Sequence, residues 1–481
     1  MVELSQEQTV AKDAIVNCKE GEVVAVEAVA GSGKSKLLYE ADKYIQGKKL
    51  YTTFSKPLIT ESRLIFSEET EVITFHSFCY DIVIRQGLGG HTPGPRTIGY
   101  FNFRNVTTKL LDEQREEVVI RMEEFFGSAD TSILKFLKDK EVTGRIAQAV
   151  IFYIKQMVDK TRPVTFGFLQ KWYHICLSRG LFTPAYYDAI YLDEVQDMEK
   201  VGLEIFKLLP AKRKVVVGDQ SQAIYASFTQ ATNGFVHLQD NITKTFPLTR
   251  SYRVNTTDAK IIQNFMQEHV KKDFVFLGHD HHNTEIHTTG YITRTNSALI
   301  EKMVQLSDEG IEFSLARKVG NLFALVITLV TLKKGNYIEG EYSYLNKDVD
   351  HYSSLKPSEK KTKSLLMYIV TTHKSNSAIY NSFLLIKAHG SKKIYSLYQL
   401  AKTKEKAKKK ADLVIGTIHA FKGLTVDRTV LDRSINLKYL IDPKLSEEEK
   451  FQETLLVYTA CTRHRIQLDG AEWLNKYKEV K

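Results

Sequence analysis

A chain of 481 residues is longer than one hydrophobic core can organise, so more than one domain is expected. Its 43% hydrophobic and 26% charged composition excludes large-scale disorder. Its four cysteines stand far apart and never in C-x-x-C, which excludes a zinc ribbon, an iron–sulfur cluster and a secreted disulfide framework, while the formal net charge of +10 favours a polyanionic partner such as nucleic acid.

Leu4-Ser5-Gln6-Glu7-Gln8 opens a helix with Ser5 as its N-cap, and the amide of Gln8 suits an adenine edge because it donates and accepts at once. The apolar run at 23–26 leads into Ala28-Val29-Ala30-Gly31-Ser32-Gly33-Lys34-Ser35 and a helical pattern at 36–41. Strand, glycine loop, helix is the order a phosphate-binding loop needs. Gly31 and Gly33 allow successive N–H groups to face one anion, with Ala30 and Ser32 completing the loop and the following helix adding its positive end. Lys34 is then placed for the β- and γ-phosphates, and Ser35 for Mg²⁺.

Residues 50–56 and 72–78 read as strands that end in hydroxyls, bases and aromatic residues, the mixture that holds phosphates and stacks bases. A Gly- and Pro-bearing boundary loop spans 87–100, and helical periodicity follows from about 101 to 160. Tyr187-Asp188-Ala189-Ile190-Tyr191-Leu192-Asp193-Glu194 is an apolar strand delivering two carboxylates, one to hold Mg²⁺ and one to activate the attacking water. The strand at 214–217 breaks at Gly218 into a loop where Gln222 is placed to sense a γ-phosphate and Tyr225 and Phe228 to stack on bases.

A second α/β unit is expected from Pro247 onward, continuing through 290–296. The histidines at 279, 281, 282 and 287 lack regular ligand spacing and read as a solvated loop, not a metal site. Val319 to Leu332 is too short an apolar stretch to span a bilayer and reads as a buried helix or strand pair. The Lys-rich run at 402–410 reads as a solvated linker, with contact to a nucleic-acid backbone as the alternative. Residues 412–424 form a strand feeding a basic loop, and 455–463 a helical segment ending in Arg463, a candidate arginine finger.

Taken in order, the stretches 4–8, 28–35, 53–56, 74–77, 192–197, 217–225, 248–253, 291–296, 417–424 and 457–463 resemble the motifs of superfamily 1 DNA helicases of the UvrD/Rep type. The Asp-Glu-Val-Gln-Asp box and Thr-Ile-His-Ala-Phe-Lys-Gly-Leu are the most specific. The resemblance implies an α/β fold of two RecA-like parallel-sheet motor domains, each with an inserted subdomain. On that pattern residues 1–86 and 161–247 form the first motor domain, 87–160 its helical insertion, 248–300 and 411–481 the second motor domain, and 301–410 the second insertion.

It also implies an ATP- and Mg²⁺-dependent helicase that translocates on single-stranded DNA from 3′ to 5′ and works at duplex–single-strand junctions, with replication or repair proteins as partners. By position, Gln8 and Tyr252 would hold adenine, Lys34 and Ser35 phosphate and Mg²⁺, Asp193 the metal, and Glu194 would be the base. Gln222 would couple nucleotide to DNA, and Arg253 and Arg463 would approach the γ-phosphate. Phe54, Lys56, Thr74, His76, Tyr225, Phe228, Thr417 and His419 would line the DNA path. Thr425 stands where the family commonly has a ribose-binding glutamate. A translocase that displaces proteins from DNA and a nucleotide-switched subunit of a larger assembly are the alternatives. The unpaired cysteines and an N-terminus without a signal pattern lead to an expected cytoplasmic location with no membrane partner; the resemblance, to a compact member of phage or accessory type, implies a bacterial or phage-infected host cell.

Overall fold

The structure, a computed structural model, describes residues 3–54, 56–88, 91, 110, 112–224, 233–282, 284–338, 342–360, 364–374, 376–407 and 411–478. Two compact units emerge: residues 1–252 with 275–277, and residues 253–274 with 278–481.

The first unit is built on six strands, β1 (Val23–Ala28), β2 (Lys49–Thr53), β3 (Thr70–Thr74), β4 (Ala189–Asp193), β5 (Lys214–Gly218) and β6 (Lys244–Leu248), in the order β3-β2-β4-β5-β1-β6. Every pairing is parallel. Runs such as Ala189-Ile190-Tyr191-Leu192 are buried throughout, as a parallel sheet covered on both faces requires. Because the strands run the same way, the loops that follow β1, β4 and β5 all open at one end of the sheet. Helices Asp112–Gly127, Ile133–Asp139, Gly144–Val158 and Phe166–Ser178 lie between β3 and β4. Their Met122, Phe125, Tyr153 and Phe168 share one apolar cluster with Leu192 and Val216 of the sheet.

The second unit has five parallel strands, β7 (Thr289–Thr293), β8 (Ser314–Leu315), β9 (Leu413–Thr417), β10 (Val426–Leu431) and β11 (His464–Asp469), ordered β11-β10-β7-β9-β8. Two parallel-sheet α/β units are the architecture of paired RecA-like domains. Helices Val319–Lys333 and Ser377–Ala407 pack through Leu322, Phe323 and Leu329 against Ile394 and Leu397. Between β8 and β9, residues 316–410 carry 19 Lys and Arg against 6 Asp and Glu, a net of +13. The basic excess of the whole chain therefore belongs to this excursion and not to the rest.

Four sequence expectations are corrected. The strand expected over 72–78 ends at Thr74, whose hydroxyl accepts from the Ser77 N–H and starts helix Phe75–Tyr80. The division falls after Tyr252 and not before Leu248, because β6 runs through Leu248 in register with Ala28, and the Tyr252 N–H donates to Gly31 O at 2.8 Å. The sequence assigned to the second insertion contains β8, whose Ser314 pairs with Val414 of β9. The Lys-rich run is not a linker up to Ala407 but the last turns of helix Ser377–Ala407, with Lys402 and Lys404 lying over the rings of Tyr398 and Phe313 at 4.8 and 4.6 Å; residues 408–410 are outside the described residues. The apolar stretch at 319–332 is one buried helix, Val319–Lys333, and no described helix is long and apolar enough to cross a membrane.

Candidate nucleotide and nucleic-acid sites

The glycine loop follows β1 directly. Gly31 and Gly33 have φ of +76° and +79°, and Gly33 caps helix Lys34–Asp42. The loop is tied down by the Ser32 N–H donating to Val29 O at 3.2 Å and the Val29 N–H donating to Leu248 O at 3.0 Å. Gln8 is buried against it. Its Oε1 accepts from the Ser5 N–H at 2.9 Å, closing the capping box of helix Gln6–Val16, and its Nε2 donates to Ser32 O at 2.9 Å. The Ser32 hydroxyl is buried without a hydrogen-bond partner among the described residues, a donor suited to a phosphate oxygen.

A Cβ on Gly33 would lie 2.8 Å from Gln8 Nε2. Gly33→Ala is therefore expected to cost about 1–2 kcal/mol for the left-handed backbone and, by displacing Gln8, to weaken nucleotide binding as well. Gly21→Ala is the matched control, since Gly21 has φ +85° but nothing within 4 Å of its Cβ. Thermal melting should fall for both variants, and affinity for a non-hydrolysable ATP analogue only for the first.

Asp193 is the last residue of β4. Its Oδ2 accepts from the Tyr51 hydroxyl at 2.7 Å and its Oδ1 from the Glu194 N–H at 2.8 Å. Glu194 has left-handed backbone, φ 55° and ψ 43°, uncommon for a residue with a long side chain. That turn brings its Oε1 to 3.2 Å from Lys34 Nζ, while Oε2 accepts from Gln196 Nε2. Gln196 Oε1 in turn accepts from the Asp219 N–H at 3.1 Å, and Asp219 Oδ2 accepts from Gln222 Nε2 at 2.6 Å. Tyr51, Gln196 and Asp219 were not singled out from sequence.

The electrostatics follow from one ammonium set among three carboxylates. Burial opposes the charge of Lys34, but Glu194, Asp219 and Asp193 outweigh it and hold the amine above the usual lysine range. Burial raises Asp193, helped by the Glu194 charge and opposed by Lys34 and the Tyr51 hydroxyl. Burial likewise raises Asp219, against the pull of Lys34. Such a surplus of buried negative charge fits a cation. Among the described residues no three His, Cys, Asp or Glu side chains form a closed metal cage. Mg²⁺ needs none, because it takes one or two protein oxygens and completes its shell with water and phosphate. Asp193 and Ser35, half-buried in the first turn of helix Lys34–Asp42, are the residues that would hold it.

Phe54, at the end of β2, lies 5.3 Å from the His76 ring, and His76 lies 6.1 Å from Phe166, which packs on Tyr80 at 5.9 Å. Burial pushes His76 down to about 4, so it contributes a neutral ring rather than a cation. Phe166 and Tyr80 join this ring cluster without having a place in the sequence reading. Lys56 opens helix Lys56–Ser62. Tyr225 and Phe228 lie outside the described residues.

In the second unit Thr417 caps helix Ile418–Phe421, which carries His419. Thr-x-His-x-Phe thus ends β3 in one unit and β9 in the other, a repeat visible at 74–78 and 417–421 of the sequence. Arg463 is among the largest fully buried side chains; its Nε donates to Thr459 O at 2.7 Å and its Nη2 to Thr462 Oγ1 at 2.8 Å. Arg253 Nη1 donates to Thr462 O at 3.0 Å, so both arginines converge on Thr462. Tyr252 belongs to the first unit.

Residues 182–247, which carry β4, β5, the Asp193-Glu194 pair and the Asp219–Gln222 turn, match the model of the UvrD/REP helicase N-terminal domain. The chain is similar to UvrD/REP helicases. F-box DNA helicase 1 of Gallus gallus is 27% identical over 262 residues, covering 48% of this chain and 25% of the relative. F-box DNA helicase protein 1 of Schizosaccharomyces pombe is 23% identical over 509 residues, covering 94% of this chain and 56% of the relative. The chain thus spans less than two thirds of the length of either.

Proposed function

We propose that the protein is an ATP- and Mg²⁺-dependent DNA helicase that translocates on single-stranded DNA from 3′ to 5′ and separates duplexes at single-strand junctions. The observation that carries this is the cluster of Lys34, Asp193 and Glu194, brought together at one end of the first sheet by the loops after β1 and β4. Both curated relatives bear the name of a DNA helicase.

Lys34 meets the β- and γ-phosphates, the turned backbone at Gly31 and Gly33 presents N–H groups, and the Ser32 hydroxyl adds a donor. Bound Mg²⁺ supplies charge neutralisation of the phosphates. Glu194 accepts the proton of the attacking water. Its contact with Lys34 makes phosphate and carboxylate competitors for the same ammonium, so nucleotide binding and activation of the base are linked. Asp193 is kept in place by Tyr51, and Gln222 by Asp219. Arg253 and Arg463 are assigned to the γ-phosphate and Gln8 and Tyr252 to adenine by resemblance. Phe54, Lys56, Thr74, His76, Tyr225, Phe228, Thr417 and His419 are assigned to DNA, and the net +13 over 316–410 supports a polyanionic substrate.

The test is ATPase activity with and without single-stranded DNA, together with unwinding of duplexes bearing 3′ or 5′ tails. DNA-stimulated hydrolysis with unwinding from 3′ tails is expected. Unwinding confined to 5′ tails refutes the polarity, and absence of ATPase activity refutes the enzyme.

A further inference from the structure

We infer that Gln196 is a positioning residue that ties the base Glu194 to the loop after β5, so that Gln222 and Glu194 act as one unit. The inference rests on the ATPase function proposed above and extends it to a side chain to which nothing so far gives a role.

Both ends of the Gln196 amide are committed. Nε2 donates to Glu194 Oε2, and Oε1 accepts from the backbone N–H of Asp219 at 3.1 Å. Gln196 is buried, 2% exposed, so no solvent substitutes for either bond. Asp219 then fixes the turn beyond it, its Oδ1 accepting from the Ser221 N–H at 2.9 Å and its Oδ2 from Gln222 Nε2 at 2.6 Å. A single amide therefore spans the ends of β4 and β5, which are neighbours in the sheet.

The backbone is shaped around this bridge. A Cβ on Gly218, the residue before Asp219, would stand 2.2 Å from Gln196 Oε1, so only glycine leaves the amide its place. Glu194 enters the contact from a left-handed turn, which aims its carboxylate between Lys34 and Gln196. A shift of the Asp219–Gln222 turn cannot leave Gln196 behind without breaking a buried bond, so motion at Gln222 reaches the Glu194 carboxylate through one side chain.

The test compares the wild-type protein with Gln196→Met, Gln222→Met and the double variant, measuring ATPase kcat and KM with and without single-stranded DNA and the affinity for a non-hydrolysable ATP analogue. Gln196→Met should lower DNA-stimulated kcat about 10- to 100-fold, as loss of a supporting hydrogen bond to a reacting group does. Analogue affinity should stay within about threefold of wild type, and the double variant should be hardly worse than the poorer single one.

Gly218→Ala, whose methyl displaces the amide without removing it, should reproduce the kcat loss, and it decides the matter if Gln196→Met does not fold. An unchanged kcat in Gln196→Met overturns the inference, as do losses confined to KM or losses that multiply in the double variant. A wild-type protein without ATPase activity overturns the proposed function and this inference together. An active wild type with an unaffected Gln196→Met overturns only the inference.

Discussion

Replacing Glu194 by Gln should reduce ATP hydrolysis by about 10²- to 10⁴-fold, the range by which a positioned proton acceptor accelerates such steps. Nucleotide binding should survive. The amide oxygen can still face Lys34 Nζ, now 3.2 Å from the carboxylate, and freeing Lys34 from an ion pair leaves it more available to phosphate. The expected pattern is thus a protein that binds an ATP analogue at least as well as wild type, binds single-stranded DNA, and turns over slowly with or without it. Equilibrium binding and single-turnover hydrolysis on the same preparation check it. Full DNA-stimulated turnover in Glu194→Gln removes Glu194 from the role of base.

Lys34→Ala should be worse in a different way. Lys34 is the ammonium that offsets the charges of buried Asp193 and Asp219 and of half-buried Glu194, and its own charge is held in place by them against the cost of burial. Breaking a buried ion pair on one side typically costs about 3–5 kcal/mol, because the carboxylates stay behind uncompensated. Both stability and nucleotide affinity should therefore fall, whereas Glu194→Gln should lower neither. Denaturant melts with and without an ATP analogue separate the two variants. A Lys34→Ala protein as stable as wild type shows that water or a rearranged side chain relieves the carboxylates.

These contrasts also mark what the sequence could and could not disclose. Lys34 and the Asp193-Glu194 pair were legible because each sits in a contiguous stretch where strand, turn and chemistry follow one another within a few residues. Tyr51 was not, since 142 positions separate it from Asp193 and only the pairing of β2 with β4 brings its hydroxyl to that carboxylate. Gln196 and Asp219 were hidden in the same way: both lie inside recognised stretches, but their bond depends on β5 lying beside β4.

Two of the errors in the fold have local causes. Residues 72–78 look like one extended run until the Thr74 hydroxyl satisfies the Ser77 N–H and turns the chain into a helix. The lysines at 402 and 404 look like solvent-exposed linker until the helix that carries them sets their ammonium groups over the rings of Tyr398 and Phe313. The sheet orders, and the return of residues 275–277 to the first unit, are long-range facts with no counterpart in any local pattern.

The left-handed backbone of Glu194 has a consequence for how this protein can change over generations. Glycine or asparagine would occupy φ 55° with less strain, so the residue that best suits the turn is not the one that suits the chemistry. Random variants selected only for robustness would drift toward losing the carboxylate and gain stability in doing so. If Glu194 is the base, as proposed, lineages that abandon hydrolysis while keeping the fold should give it up early.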